Sequence, residues 1–402
     1  MHTPPALRAT LTSLLLATAG LAQAPFLVGT RDIALPNTTG QGSGSLTARV
    51  HYPAASAGTN VPVLAQQGGW PVVVFLHGFL ALGNNYAPVG NALAAAGYIA
   101  VMSNTMQFDN QGQEYDGRAL YSALVTANGA AGGAFQGALD MTRSALVGHS
   151  MGGGNVGNVL ANNPGYRCGV GLAPVAPRGN NGASVTVPMA IVAGLGDTIA
   201  PYSTYALPFY QGLTAVSGVK ALYLFNNDGT HLNIPGYTVI TATDTAVLQR
   251  SMSITIGFLD RWVRNRAEGL ENVLGVSARS ETRLNALTQE IASPQVWPAA
   301  GLAIGQTTRI SVASEAGPCG VITASGFAAA PVATPFGNLL LDAGSAFVAI
   351  SSVAGADKRA DASLSVPASQ TFMGLRLPVQ AYGVGRGGAV ALGNATELVV
   401  GS

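Results

Sequence analysis

The pentapeptide Gly148-His149-Ser150-Met151-Gly152 lies between the apolar run Ser144-Ala145-Leu146-Val147 and the small-residue segment Gly152 to Ala161. Apolar strand, glycine-flanked serine, then helix is an order that few folds accommodate. A serine on so tight a turn needs strained backbone dihedrals, and flanking glycines permit both the strain and a close strand–helix contact. The segment reads as a nucleophile elbow, with Ser150 as the candidate nucleophile. With 52 glycines in 402 residues, the bare motif competes with a plain turn, so its surroundings decide.

Those surroundings alternate. Phe26 to Ala34 and Leu46 to Tyr52 read as early strands joined by the Gly/Ser/Thr-rich turn Thr38 to Ser45. Pro71 to Leu76 then reads as a continuous apolar strand, Asn84 to Ala96 as a helix closed by Gly97, and Tyr98 to Met102 as another buried strand. Arg118 to Thr126 and Ala134 to Thr142 are expected to be helical, ahead of the Ser144 to Val147 strand and the helix after Ser150. Further strands are expected at Cys168 to Ala173, Met189 to Ala193 and Ala221 to Phe225. A helix over Thr243 to Arg266 carries Ile254, Phe258 and Trp262 at helical spacing. Apolar strands alternating with helices imply an α/β class, with a mostly parallel sheet covered by helices on both faces.

Beyond Arg266 the texture changes. A helix-like piece, Ala278 to Ile291, precedes Ser293-Pro294 and a Gly/Ala/Pro-rich tail with alternating segments at Thr308 to Ala313, Ala346 to Val353 and Ala389 to Leu392. The expected organisation is a catalytic domain over 25–268, a linker with a short helix over 269–293, and a small all-β, sandwich-like domain over 294–402. No exposed aromatic row is evident in the tail. Stabilising the enzyme is its expected role, with binding of a polymer or cell surface as the alternative.

Charged residues make up 9% of the chain, hydrophobic ones 48%, and the formal net charge is +1. Nothing in that balance points to nucleic acid or to an anionic membrane surface, so a neutral substrate is expected. Arg8, the apolar stretch Ala9 to Leu21, and small residues at Gly20, Ala22 and Ala24 have the layout of a secretory signal peptide. Cleavage after Ala24 would leave Pro25 first, so cleavage after Ala22 is expected, giving a signal over 1–22 and an exported protein without a membrane span; an uncleaved anchor is the alternative. A monomer is expected. The two cysteines, Cys168 and Cys319, would be able to pair in an oxidising compartment, but Cys168 lies in a strand-like run and two inert thiols are the simpler reading.

An acyl-transfer serine needs a base, a group that orients the base, and donors for the oxyanion. Of five histidines, His2 falls in the signal, His51 in an early strand, and His77 and His149 inside tight motifs. His231, in Asp228-Gly229-Thr230-His231, alone follows the last expected strand of the sheet. The chain order serine, acid, histidine of hydrolases with this elbow selects His231 as base. Asp197 ends the strand Ala190 to Ala193 through Gly194-Leu195-Gly196 and is the expected acid; Asp228 is its competitor, better suited to shaping the turn. The Met151 amide and one from His77-Gly78-Phe79-Leu80, that of Phe79, are the expected oxyanion donors. His77 and His149 are expected to brace their loops.

Together these residues resemble the bacterial cutinases and poly(ethylene terephthalate) hydrolases, a branch of the α/β-hydrolases related to the dienelactone-hydrolase group. The matching stretches are His77-Gly78-Phe79, Asp140 to Gly154, Gly196-Asp197-Thr198-Ile199-Ala200-Pro201, Pro208-Phe209-Tyr210 and Gly229-Thr230-His231. They cover roughly residues 27 to 266. The resemblance implies an α/β-hydrolase fold, a triad of Ser150, Asp197 and His231, and no metal or organic cofactor. It also implies a substrate groove at Phe79 and Ile199, with His149, Val175 and Leu232 beside it. Val175 stands where the family carries a tryptophan of an aromatic clamp, Leu232 stands where an aromatic often follows the catalytic histidine, and the family's cysteine pair near the end of the catalytic domain is absent. The implied function is a secreted, cutinase-like serine ester hydrolase cleaving carboxylic esters, aliphatic and aromatic polyesters included, through a Ser-His-Asp acyl-enzyme. A general carboxylesterase or lipase is the alternative, and a binding protein on a hydrolase scaffold the reading from outside the enzymes.

Overall fold

The computed structural model describes residues 25–162, 165–179 and 181–401. The expected signal segment, with its cleavage site after Ala22, lies outside the described residues. Ten strands form the main sheet: β1 (Leu27–Pro36), β2 (Ser45–Ala54), β3 (Gly58–Thr59), β4 (Trp70–Leu76), β5 (Ile99–Ser103), β6 (Leu139–His149), β7 (Gly169–Leu172), β8 (Met189–Gly194), β9 (Val219–Phe225) and β10 (Leu284–Ile291). Their order is β10-β9-β8-β7-β6-β4-β5-β2-β1-β3. The stretch from β5 to β9 is parallel throughout, while β1, β2 and β10 add antiparallel margins.

The central strands are unbroken apolar runs because each faces a core on both sides. On β4, Val73 and Phe75 enter a cluster with Val89 and Leu93 of α1 (Ala87–Ala95) and Ile254 and Phe258 of α5 (Ala242–Trp262). Val72, Val74 and Leu76 enter the opposite cluster, with Leu120 of α2 (Asn110–Gly129), Val159 of α3 (Met151–Asn162) and Phe209 of α4 (Ala206–Gly212). The parallel register sets Leu76 opposite Gly148, His149 opposite Leu172, and Gly194 opposite Phe225. The carboxyl ends of β4, β6, β8 and β9 therefore finish level, and the loops leaving them share one edge of the sheet, where open α/β sheets place their ligands.

Two expected helices are absent. Ala134 to Thr142 is a turn followed by the start of β6: Gly137 takes φ 67°, and Asn128 holds both backbone groups of Leu139 at 2.9 Å. Ala278 to Ile291, placed in the expected linker 269–293, is helical only at its start, in α7 (Val276–Arg279), which follows the short helix α6 (Leu270–Val273); the rest is edge strand β10. Its Ala, Leu, Gln and Glu favour helix, but pairing with β9 overrides that propensity, and Glu290 meets the nearly buried Lys220 directly opposite it at 2.8 Å.

The region after β10 is β-rich. It comprises a three-stranded sheet, β11 (Gln295–Pro298), β13 (Thr307–Ala313) and β18 (Arg359–Ser365); a five-stranded one, β12 (Leu302–Ala303), β20 (Val390–Gly401), β19 (Arg376–Val384), β14 (Pro318–Thr323) and β17 (Phe347–Val353); and the hairpin β15 (Phe327–Thr334) to β16 (Gly337–Leu341). It is packed onto the main sheet's helices through Trp297. The ring is wholly buried in the same core as Phe258 and Leu270, and its indole N–H donates to Glu271 at 3.0 Å. Cys168 and Cys319 are both buried and free, so no disulfide links the regions.

Candidate active site

Ser150 stands between β6 and α3 with φ 54°. A side chain in the left-handed region is uncommon outside strained functional turns. Its N–H donates to Leu172 O at 3.1 Å and its carbonyl accepts from Val175 N–H at 3.0 Å, so neighbouring backbone over-determines the strain. The flanking glycines are demanded by close approach. A Cβ on Gly148 would fall on the Gly152 carbonyl, and one on Gly152 would fall on the Leu76 carbonyl.

Asp197 and His231 meet across the ends of β8 and β9. His231 Nδ1 lies 2.8 Å from Asp197 Oδ2. A carboxylate only accepts, so Nδ1 carries a proton, and in the neutral imidazole Nε2 is the nitrogen with the lone pair. The other carboxylate oxygen accepts from the Ile199 and Ala200 amides at 2.9 and 2.7 Å, which fixes the acid's orientation. A Cβ on Gly196 would fall on the Asn227 carbonyl, so glycine there lets the acid loop pack against the histidine loop. Asp228, the competing acid, is turned away onto Arg283 at 2.8 Å. Ser150, Asp197 and His231 are 9%, 4% and 5% exposed, deep enough for charge interactions to be weakly screened.

The loop after β4 supplies the second wall. His77 is buried with its ring nitrogens facing the Thr105 and Gly78 carbonyls at 2.7 and 2.8 Å, and burial holds its pKa below the ordinary value. Its own carbonyl accepts from Gly152 N–H at 3.1 Å and from Gln113 at 3.0 Å, fastening the loop to the elbow. The Gly78, Leu80 and Ala81 amides donate to Tyr86 Oη, Gln107 O and Gly78 O. Among the described residues the Phe79 amide donates to no protein acceptor, and Met151 opens α3, where amides lack intrahelical partners.

His149 does not line the groove. It is 3% exposed, and its ring nitrogens are engaged by Tyr86 Oη at 2.8 Å and the His231 carbonyl at 2.9 Å. Burial and the neighbouring His231 hold its pKa well below the ordinary value, so it is neutral. Phe79 and Ile199 stand out at 55% and 63% exposure. Ile199 and the half-buried Leu232 border a cleft of about 280 Å³ beside His231. Val175, also half-buried, contributes its amide to the elbow. Sequence reasoning missed Phe108 and Tyr86. Phe108 is 66% exposed and meets the Phe79 ring edge-on at 5.9 Å. It sits in the irregular stretch before α2, where no periodicity marks it. Tyr86 reads as one more core aromatic, since only its hydroxyl reaches the site.

A family model described as PET hydrolase-like matches residues 11–267. Relatives include the bis(hydroxyethyl) terephthalate hydrolase of Streptomyces coelicolor, 28% identical over 236 residues that cover 59% of this chain and 68% of the relative. Cutinase 1 of Thermobifida cellulosilytica is 29% identical over 215 residues, 52% of this chain and 74% of the relative. A cutinase of Thermobifida fusca is 29% identical over 215 residues, covering 52% and 64%. The match takes in the elbow, the acid loop and the histidine loop together, and on that ground the chain belongs to the PET hydrolase-like family.

Proposed function

We propose that this chain, a carboxylic ester hydrolase by family, is an exported polyester hydrolase working through an acyl-enzyme on Ser150. Ser150 Oγ attacks the ester carbonyl carbon as His231 Nε2 takes its proton. The Asp197 carboxylate, 2.8 Å from Nδ1, stabilises the imidazolium. The carbonyl oxygen, now negative, is received by the Phe79 and Met151 amides. His231 returns the proton to the leaving alcohol; a water activated by the same imidazole then attacks the acyl carbon, and Ser150 leaves with the proton restored. The observation that carries this reading is the buried Asp197–His231 pair, whose imidazole lies 4.6 Å from the ring of His149, the residue before a serine held at φ 54°.

Phe79 and Phe108, in edge-on contact, and Ile199, on the cleft beside His231, are exposed apolar side chains suited to a neutral acyl chain. We take residues 25–268 as the catalytic domain and 294–402 as a sandwich-like module whose burial of Trp297 favours a stabilising role. Val175 favours a second reading, a carboxylesterase or lipase acting on small esters, because it leaves one side of the groove without an aromatic wall.

The test is acid release by the purified protein and its Ser150→Ala variant from a short nitrophenyl ester and from solid polyester film. Release from both, lost in the variant, is the expected result. Release from the soluble ester alone selects the second reading, and turnover retained by Ser150→Ala overturns the mechanism.

A further inference from the structure

Tyr86 ends the turn Gly83–Tyr86 and immediately precedes α1; its ring is buried, 4.7 Å from Phe75 and 5.5 Å from Tyr237. A core aromatic of that kind needs no hydroxyl, yet this one stands at a junction. It accepts from the Gly78 amide at 3.0 Å and lies 2.8 Å from His149 Nδ1. The proton positions follow from the partners. The His231 carbonyl only accepts, so His149 Nε2 carries the ring proton and donates to it at 2.9 Å. His149 is neutral, because burial and the adjacent His231 oppose its charge, and Nδ1 is left as a lone pair that the Tyr86 O–H must fill. An unbroken run of donors and acceptors results: Gly78 N–H to Tyr86 Oη, Tyr86 O–H to His149 Nδ1, His149 Nε2–H to His231 O.

Each end of that run belongs to a different part of the catalytic machinery. Gly78 is bonded in chain to Phe79, whose amide is the oxyanion donor in the reading above. The His231 carbonyl belongs to the base itself, and His149 precedes the nucleophile. We propose that Tyr86 is a positioning residue: through His149 it fixes the spacing between the oxyanion loop and the base loop around Ser150. This rests on the triad assignment of the previous subsection. Without the hydroxyl, the imidazole loses the donor that holds its tautomer, and Gly78 N–H loses its acceptor, so both loops are released at once. Buried networks of this kind matter only when every member is satisfied.

The test is a cycle of Tyr86→Phe, His149→Ala and the double variant, with steady-state kinetics on a soluble nitrophenyl ester. Tyr86→Phe keeps the ring and removes one oxygen. Its kcat is expected to fall about 10- to 100-fold, as when outer hydrogen-bond partners of a catalytic group are removed, while KM stays within about twofold because substrate contacts are untouched. If the hydroxyl acts through His149, the double variant loses no more than His149→Ala alone. Tyr98→Phe is the control. It also deletes a buried tyrosine hydroxyl, bonded to Asp260 at 2.7 Å, but next to β5's opposite end, and its kcat is expected to be unchanged. Full kcat in Tyr86→Phe, multiplying losses in the double variant, or an equal fall in Tyr98→Phe would each overturn the proposal. Ser150→Ala run alongside separates the two failures: if it retains turnover the triad falls, and if it is inactive while Tyr86→Phe is normal, only the positioning role falls.

Discussion

The main sheet and the β-rich tail use apolar residues in opposite ways. Every residue of β4 and β9 is buried, whereas β15 and β17 bury none of theirs. Burial on both faces locks strand register, because a slip of one residue would exchange the side chains of two different cores. The level strand ends that result hold Ser150, Asp197 and His231 to a common edge. In the tail, half-covered sheets tolerate looser placement, and charged residues there form structural pairs such as Arg309–Glu271, Lys358–Glu315 and Arg376–Glu397. Three phenylalanines, Phe327, Phe336 and Phe347, stand between 46% and 61% exposed, an aromatic exposure that the sequence did not signal. The candidate site thus sits in the region where geometry is over-determined.

The largest expected effect lies in the first region. Asp197→Asn keeps the acceptor for the Ile199 and Ala200 amides but allows the wrong His231 tautomer, so kcat on a soluble ester should fall about 10⁴-fold. Asp228→Asn, which loses only the Arg283 pair, should keep kcat within about twofold. A loss in Asp228→Asn as large as in Asp197→Asn would remove the assignment of the acid. Next comes the seam between the regions: Trp297→Ala empties a fully buried indole site and should cost about 3–5 kcal/mol in denaturant unfolding, with kcat per folded molecule unchanged. If kcat fell in proportion, the tail would be shaping the site rather than supporting it. Phe108→Ala is smaller. Its exposed ring should contribute less than about 0.5 kcal/mol to stability, while hydrolysis of polyester film drops and nitrophenyl acetate turnover is unchanged. Equal rates on film would exclude Phe108 from the substrate surface.

The legible parts of the molecule were those in which one local pattern has one structural meaning. Gly148-His149-Ser150-Met151-Gly152 admits few conformations, and the runs at Val72 to Leu76 and Ala221 to Phe225 are apolar at every position because no face is left for water. The chain order of Ser150, Asp197 and His231 then selected Asp197 over Asp228, and it is the Asp197 carboxylate that lies 2.8 Å from the His231 imidazole. What escaped depended on partners distant in sequence. Leu284–Ile291 carries helix-forming residues, and only β9 with Lys220 makes it a strand. His149 looked equally suited to line the groove or brace the elbow, and the buried Tyr86 hydroxyl, 63 residues away, decides for bracing. Phe108 sits in a loop without periodicity, so nothing in its neighbours in the chain announced its place beside Phe79.

The smallest expected effect tests how the base loop is held from below. Thr241 and Asp244 cap α5 reciprocally, and the same carboxylate accepts from Asn233, which also bonds to Thr230 N–H and Asp228 O in the loop carrying His231. The Asn233 hydrogen bond, then those from Thr241, lower the Asp244 pKa from 3.8 to about 2. A carboxyl whose folded pKa is depressed contributes stability that is present above its unfolded value and lost as pH falls through the folded one. The difference in melting temperature between the wild type and Asp244→Asn should therefore be constant above about pH 4 and shrink between about pH 4 and pH 2. Asp342 in the tail is lowered in the same sense by Ser345 and Gly344, so Asp342→Asn gives the matched measurement for the other region. If the Asp244→Asn difference persists unchanged at pH 2, the carboxylate's charge is not what fastens the histidine loop to α5, and the neutral hydrogen bond from Asn233 carries that contact.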